Sequence, residues 1–273
     1  MYFITISEML GTKGREIAAK VAGKLNYSYF GEDELLKAAG EMGFLPDVQK
    51  LDEKNPPLFE KFFTEKPRIY LDRLQAVIYE VAKKGDAVFF GRGSQLLLHS
   101  FDCAFHVLIT GSLEKRVERI SEEKHLGKEM AEKIVHQSDR DKRGFFRFAF
   151  DKDWLNSQIY DLLLNTDKLS IDSAVKMIID AAKSEEIKAC GIDSVKSLGK
   201  LSLQRKIEAA FLEAGMMNPN LFIDVEDIDS VRLWGLVTSQ EEKEAVEKIV
   251  KRIQGVKTVS NELTLMRASM GGI

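Results

Sequence analysis

Residues 2–25 read YFITISEMLGTKGREIAAKVAGKL, and this stretch decides the fold. Tyr2–Ser7 is rich in β-branched and aromatic residues and predicts a strand. Gly11-Thr-Lys-Gly14 predicts a turn. Ile17, Val21 and Leu25 then recur at fourfold spacing with Ala18 and Ala22 beside them, the apolar stripe of a helix. Strand, glycine turn and helix in that order aim backbone N–H groups and a helix N-terminus at one point, an arrangement suited to a phosphate.

Outward from this stretch the alternation continues. Asp33–Gly43 predicts a helix, and Leu45–Lys66 is polar and broken by prolines. A helix follows from about Ile69 to Lys83, with Leu71, Leu74, Val77, Ile78 and Val81 on one face. Ala87–Phe90 and Phe105–Thr110 are short apolar runs fit for buried parallel strands. Helices are expected at Leu113–Lys124 and Lys128–Arg140, a strand at Tyr160–Asn165 and a helix at Ile171–Ala182. This order argues for an α/β domain with a parallel sheet and helices on both faces. The pattern loosens near Ser184–Gly199, so residues 185–199 are expected to link a domain of 1–184 to one of 200–267. The second is an αββαβ unit: helix Ser202–Ala214, strands Leu221–Glu226 and Ser230–Val237, helix Gln240–Ile253 and strand Thr258–Leu265.

The chain has 273 residues with a formal charge of −3, spread over both signs. No nucleic-acid partner is implied, and any anion site has to be a local cluster of Arg and Lys. Cys103 and Cys190 lie far apart and are expected to be reduced or buried thiols of a cytosolic protein. His99, His106, His125 and His136 are unclustered, and no metal ligand is identified. The opening residues read as a strand, too short for a signal peptide. No stretch approaches the ~18 apolar residues of a membrane span, and cytoplasmic residence is the expectation.

A phosphate-binding P-loop reads G-x-x-x-x-G-K-[ST]. Here Gly11 matches an internal glycine, Gly14 stands at the lysine position and Glu16 at the hydroxyl position. Lys13 and Arg15 flank that position and would supply the positive charge. The alternative is a plain glycine turn between a strand and a helix.

Ser7, Gly11 and Gly14-Arg-Glu-Ile17 resemble the loop of the cytidylate kinase-like family, whose form is S-R-x-x-G-S-G-G-R-E-I. Glu8 stands where that form has Arg, and Lys13 where it has glycine. Arg68, seven residues before Gln75, is similar to the R-x-x-L-L-x-x-Q-R helix of cytidylate kinases. Val88-Phe-Phe-Gly91-Arg92-Gly93 resembles their V-x-E-G-R-D, with Gly93 in place of the acid. Ser138-Asp-Arg140-Asp-Lys142-Arg143 is similar to their arginine-bearing lid, and Asn165-Thr166-Asp167 to the turn after it. The resemblance implies a P-loop NTPase-like parallel sheet, with ATP and Mg²⁺ as cofactors. ATP would lie on loop 7–16, contacting Ser7, Gly11, Thr12 and Gly14. Lys13, Arg15, Arg140 and Arg143 would assist transfer, with Lys142 a weaker candidate. Arg68 and Arg92 would hold a nucleoside monophosphate, most simply CMP. Each also has a plain reading: Arg68 a solvated helix residue, Arg140 and Arg143 a charged helix face, Arg92 a strand cap. Asp33 and Glu34 fit the family's acidic acceptor position or a helix start equally. Phe145, Phe146, Phe148, Phe150 and Trp154 suit packing beneath the lid better than base stacking.

Val231-Arg-Leu-Trp-Gly235-Leu-Val237 and Gly255-Val-Lys-Thr-Val-Ser-Asn261-Glu-Leu263 resemble the BON domain. That resemblance implies a protein or phospholipid partner, or regulation of the kinase-like domain. Passive packing or homo-oligomer formation is the alternative. Three functions stay open: a nucleoside monophosphate kinase, a nucleotide-binding sensor that has lost catalysis, and a kinase of another small phosphorylated or hydroxylated substrate.

Overall fold

The computed structural model describes residues 2–49, 66–216 and 218–266. Most of the predicted polar stretch at 45–66 lies outside the described residues. In chain order the elements begin with β1 (Phe3–Glu8), α1 (Gly14–Leu25), β2 (Ser28–Phe30), α2 (Glu32–Glu41), α3 (Leu45–Val48) and α4 (Lys66–Ala82). Next come β3 (Ala87–Phe90), α5 (Ser94–Leu97), β4 (Ala104–Thr110), α6 (Leu113–Lys124), α7 (Lys128–Phe150), β5 (Leu162–Asn165) and α8 (Ile171–Ala182). Last are α9 (Ile192–Glu213), β6 (Leu221–Asp227), β7 (Ser230–Val237), α10 (Gln240–Lys251) and β8 (Thr258–Leu265). Two compact units result: residues 1–60 with 84–194, and residues 61–83 with 195–273.

In the first unit five parallel strands run in the order β2-β3-β1-β4-β5. The sheet is sided by β1, whose residues alternate between its faces. Ile4 and Ile6 bury themselves with Ile17 and Val21 of α1 and with Val175 and Ile178 of α8. Phe3 meets the rings of Phe89 and Phe101 edge-on. Burying each such side chain contributes about 1.5–3 kcal/mol. Because β1 is central, its carboxyl end opens into the crevice where ligands of open parallel sheets bind.

α6 and α7 pack through Val117, Ile120, Ala131 and Val135. The Ser112 hydroxyl caps α6 by accepting the Lys115 N–H at 3.3 Å. α7 runs to Phe150, past the predicted end at Arg140. The polar run Ser138–Arg143 hides its period, yet Phe145 and Phe146 are fully buried one turn later. Their rings pack with Phe150 and Trp154, which is packing and not an open stacking surface. Short elements had no periodic signal: β2 has three residues and α3 and α5 four each.

The expectation of two separate thiols is corrected, since Cys103 and Cys190 are joined as a disulfide across a sequence separation of 87. Sequence distance concealed a Cα–Cα distance of 5.0 Å. The rings of His99 and His106, read as unclustered, stack 5.6 Å apart because the turn between α5 and β4 folds them together.

The second unit holds a three-stranded sheet, β6-β7-β8, antiparallel then parallel. One face packs Val231, Leu233 and Val237 against Leu203, Ile207 and Phe211 of α9 and Val246 and Val250 of α10. On the other face Phe222 and Trp234 stack at 4.4 Å, and the indole N–H donates to Asp224. α9 begins at Ile192, inside the stretch expected to be a linker, with Asp193 in its first turn and Leu198 buried. α4 belongs to this unit: the Ser202 hydroxyl donates to the Ala76 carbonyl at 3.1 Å. No helix among the described residues is long and apolar enough to cross a membrane.

Candidate functional site

After Glu8 the chain turns back on itself. The Thr12 N–H and hydroxyl both donate to the Met9 carbonyl, at 3.2 and 2.8 Å. Gly11 takes φ +89°, and a Cβ there would lie 2.7 Å from the Arg116 carbonyl oxygen, so only glycine fits. Lys13, at φ 63°, precedes α1 and gives it no side-chain cap. The orphan N–H of Gly14 instead donates to the Glu8 carboxylate at 2.6 Å. The first turn of a helix carries unpaired N–H groups and a partial positive charge. Here a side chain six residues upstream answers both.

Lys142 of α7 reaches the same loop. Its ammonium donates to the Glu8 carbonyl at 2.6 Å and lies 5.0 Å from the Trp154 ring centroid. Burial pushes the Glu8 carboxyl above its ordinary range, while Lys142, the Gly14 N–H, the Thr12 hydroxyl and Arg15 act against that rise. Beside the loop, Glu32 of α2 stands between two guanidinium groups, Arg15 at 3.4 Å and Arg92 at 3.6 Å. Arg92 is buried and has φ 60°, between Gly91 and Gly93, which also have positive φ. A left-handed arginine costs energy that its surroundings must offset, and such residues cluster at ligand sites.

The loop is braced from behind by two arginines of α6. Arg116 is 2% exposed. Its Nε donates to the Leu10 carbonyl at 2.8 Å, and its two terminal nitrogens hold Asp139 of α7 at 3.0 and 2.6 Å. Arg119 donates to the Gly11 carbonyl at 3.3 Å and to the Thr166 carbonyl at 2.6 Å. Neither arginine was singled out from sequence. Their signal is an i, i+3 spacing on the stripe carrying Val117 and Ile120, which places Arg116 on a buried face.

The expected site residues therefore divide. Ser7, Gly11, Thr12, Lys13, Gly14 and Arg15 form the loop and its edges, and Arg92 joins them through Glu32. Thr12 turns its hydroxyl inward, and Ser7 is buried in β1. Lys142 comes to the loop, whereas Arg140 and Arg143 are exposed on α7. Arg140 donates to Gln137 at 2.6 Å. Successive helical residues are about 100° apart, so the face that brings Lys142 inward turns its neighbours out. Arg68 is exposed on α4, in the second unit. Glu34 accepts the Gly31 N–H at 3.0 Å and starts α2. Asp167 accepts the Ser112 N–H at 2.9 Å, and that bond holds its carboxyl below the ordinary range.

A glycine loop at the carboxyl end of a central parallel strand, opening into a helix N-terminus and ringed by cations, defines a phosphate-binding fold. Comparison with known proteins narrows this class: residues 3–168 match the model of the cytidylate kinase-like family, to which the chain belongs. Residues 201–267 match the BON domain. The cytidylate kinase of Methanocaldococcus jannaschii is 26% identical over 182 residues, covering 65% of this chain and 96% of that protein. That of Staphylothermus marinus is 31% identical over 102 residues, covering 37% and 56%. An uncharacterised protein from Eubacterium ventriosum has the same fold, with a TM-score of 0.54 at 19% identity, covering 67% of this chain and 99% of that one.

The Arg116–Asp139 pair is expected to be a cooperative brace. Arg116→Met strands a buried carbonyl and a carboxylate, and should destabilise the chain by about 3 kcal/mol. Asp139→Asn should cost about 1–2 kcal/mol, and the double variant less than their sum. Urea unfolding of the four proteins measures the coupling, and strict additivity would show that the pair braces nothing.

Proposed function

We propose that the chain catalyses ATP-dependent phosphoryl transfer to a nucleoside monophosphate such as CMP, as the named function of its archaeal relatives suggests. The observation that carries this reading is Lys142. The loop has glycine at the lysine position, and α7 brings an ammonium to it, 2.6 Å from the Glu8 carbonyl. A transferring phosphoryl group needs positioning and spread charge more than covalent help. Lys142, Lys13 and Arg15 would supply that charge at the loop, with the exposed Arg140 and Arg143 of α7 as the further candidates the family resemblance gives. Arg92, just after β3, is read as the residue that would hold the acceptor phosphate.

Mg²⁺ in such reactions is held by one or two carboxylates together with the substrate's phosphates and water. Among the described residues no group of three His, Cys, Asp or Glu side chains gathers to cage a metal. A metal carried in on the nucleotide's own phosphates and water fits that lining, with Glu32 of α2 the carboxylate that would stay beside the loop. The metal would neutralise charge on the phosphates, and this chain's cations would orient them.

A second reading, a nucleotide-binding sensor without turnover, is favoured by one observation: the Glu8 carboxylate sits on the Gly14 N–H, where a phosphate would go. An ADP-release assay with ATP, Mg²⁺ and a panel of nucleoside monophosphates separates the two. Turnover with CMP, reduced about 10²–10³-fold in Lys142→Met, is the expected result. ATP binding without turnover on any acceptor would leave the sensor.

The BON-like unit is read as a contact for a phospholipid or protein partner, or between copies of the chain. The feature behind this is the exposed Phe222–Trp234 stack on the sheet face away from the helices. The full chain should co-sediment with anionic vesicles and lose that binding in Trp234→Ala. Equal recovery with and without vesicles would remove the lipid. The nucleotide supply favours the cytoplasm, and the Cys103–Cys190 bond weighs against it.

A further inference from the structure

We propose that Glu8 is an internal stand-in for a nucleotide phosphate: its carboxylate fills the anion seat at the start of α1, and a triphosphate binds by displacing it. The inference rests on the nucleotide-loop reading above and adds a control built into the loop itself.

Three observations carry it. First, the Glu8 carboxylate accepts the Gly14 N–H at 2.6 Å and faces the Thr12 hydroxyl at 3.4 Å. Backbone N–H groups at this point of a strand–loop–helix are those that bind phosphate. Second, Lys13 provides no side-chain cap, so Glu8 is the partner that α1 would otherwise find in a ligand. Third, Glu8 and Gly14 are made for each other. A Cβ at position 14 would fall 2.6 Å from the Glu8 Cβ and 2.8 Å from its carboxylate oxygen. Glycine at 14 lets the start of α1 come close enough to β1 for an acid at position 8 to reach its N–H.

The seat is poised to be vacated. Burial works against the Glu8 charge, so the carboxylate regains hydration when it swings out. Lys142 and Arg15 remain to meet the incoming phosphate. Displacement forms bonds from the Gly14 N–H and the Lys142 ammonium to phosphate oxygens and breaks the Glu8–Gly14 bond.

Calorimetry of ATP binding to the full chain, at one pH and salt concentration, tests this with Glu8→Gln and Glu8→Asp. The first removes the charge. The second keeps it but is one methylene too short to hold the Gly14 N–H. Both variants should bind ATP about ten- to a hundredfold tighter than the wild type, the span expected for losing one charge-assisted hydrogen bond. Affinities equal to wild type in both would overturn the proposal. A gain in Glu8→Gln alone would also overturn it, since that is repulsion at a distance and not occupancy. No ATP binding by any of the three proteins would overturn the nucleotide reading together with this one. The wild type provides a check that does not depend on a variant folding. The ¹⁵N–¹H resonance of Gly14 should move as ATP saturates the protein, because its acceptor changes. A Gly14 amide that stays put while ATP binds contradicts displacement.

Discussion

The N–H of Gly14 has to be satisfied, and much of the first unit is arranged around how that is done. It opens α1 at the carboxyl end of the central strand, where no intrahelical acceptor exists for it. Glu8 supplies the acceptor, and its closeness requires glycine at 14. The close approach of the turn to the Arg116 carbonyl requires glycine at 11. The Glu8 main-chain carbonyl in turn accepts the Lys142 ammonium of α7, beside the same carboxylate. Arg116 fixes α7 there by holding Asp139 while tying the Leu10 carbonyl to α6. Loop, brace and α7 thus form one bonded set, which is why a cation from a distant helix reaches the loop although glycine stands at the lysine position.

Although the chain's net charge is −3, this set gathers cations locally. Lys13, Arg15, Arg92 and Lys142 gather at one end of the sheet, and Glu8 and Glu32 are set among them. Without a ligand each carboxylate serves as the counter-ion for two cations. In the proposed displacement, an entering phosphate takes over the cations that Glu8 gives up. Left-handed backbone occurs here too, at Lys13 and Arg92, where the surrounding structure has to offset its cost. The family model covers this region, and the BON-like unit adds a separate core with its own exposed aromatic stack.

Much of this was legible in the sequence where periodic or β-branched runs were long enough to speak. The bounds of β3, α6, α8, β7 and β8 follow from apolar spacing, and the order of strands and helices gives the parallel sheet. The end of α7 did not, because Ser138–Arg143 is polar on every side and its buried residues resume only at Phe145. The loop was recognisable as a strand–turn–helix, but which cation faces it was not. Arg140 and Arg143 carry the family pattern, yet helical rotation turns Lys142 inward. Arg116 and Arg119 were not singled out, since a sequence shows spacing and not the carbonyls a guanidinium will meet. The Cys103–Cys190 bond was hidden because it depends on segments that meet only in the folded chain, and the His99–His106 stack because it depends on the turn between α5 and β4.

The central claim concerns one backbone donor and what it holds. A crystal structure of the full chain with ADP or a non-hydrolysable ATP analogue tests it most directly. The account predicts a phosphate oxygen within hydrogen-bonding distance of the Gly14 nitrogen, the Lys142 ammonium turned onto that phosphate, and the Glu8 carboxylate rotated away. Nucleotide bound elsewhere, with Glu8 still on the Gly14 N–H, would contradict it.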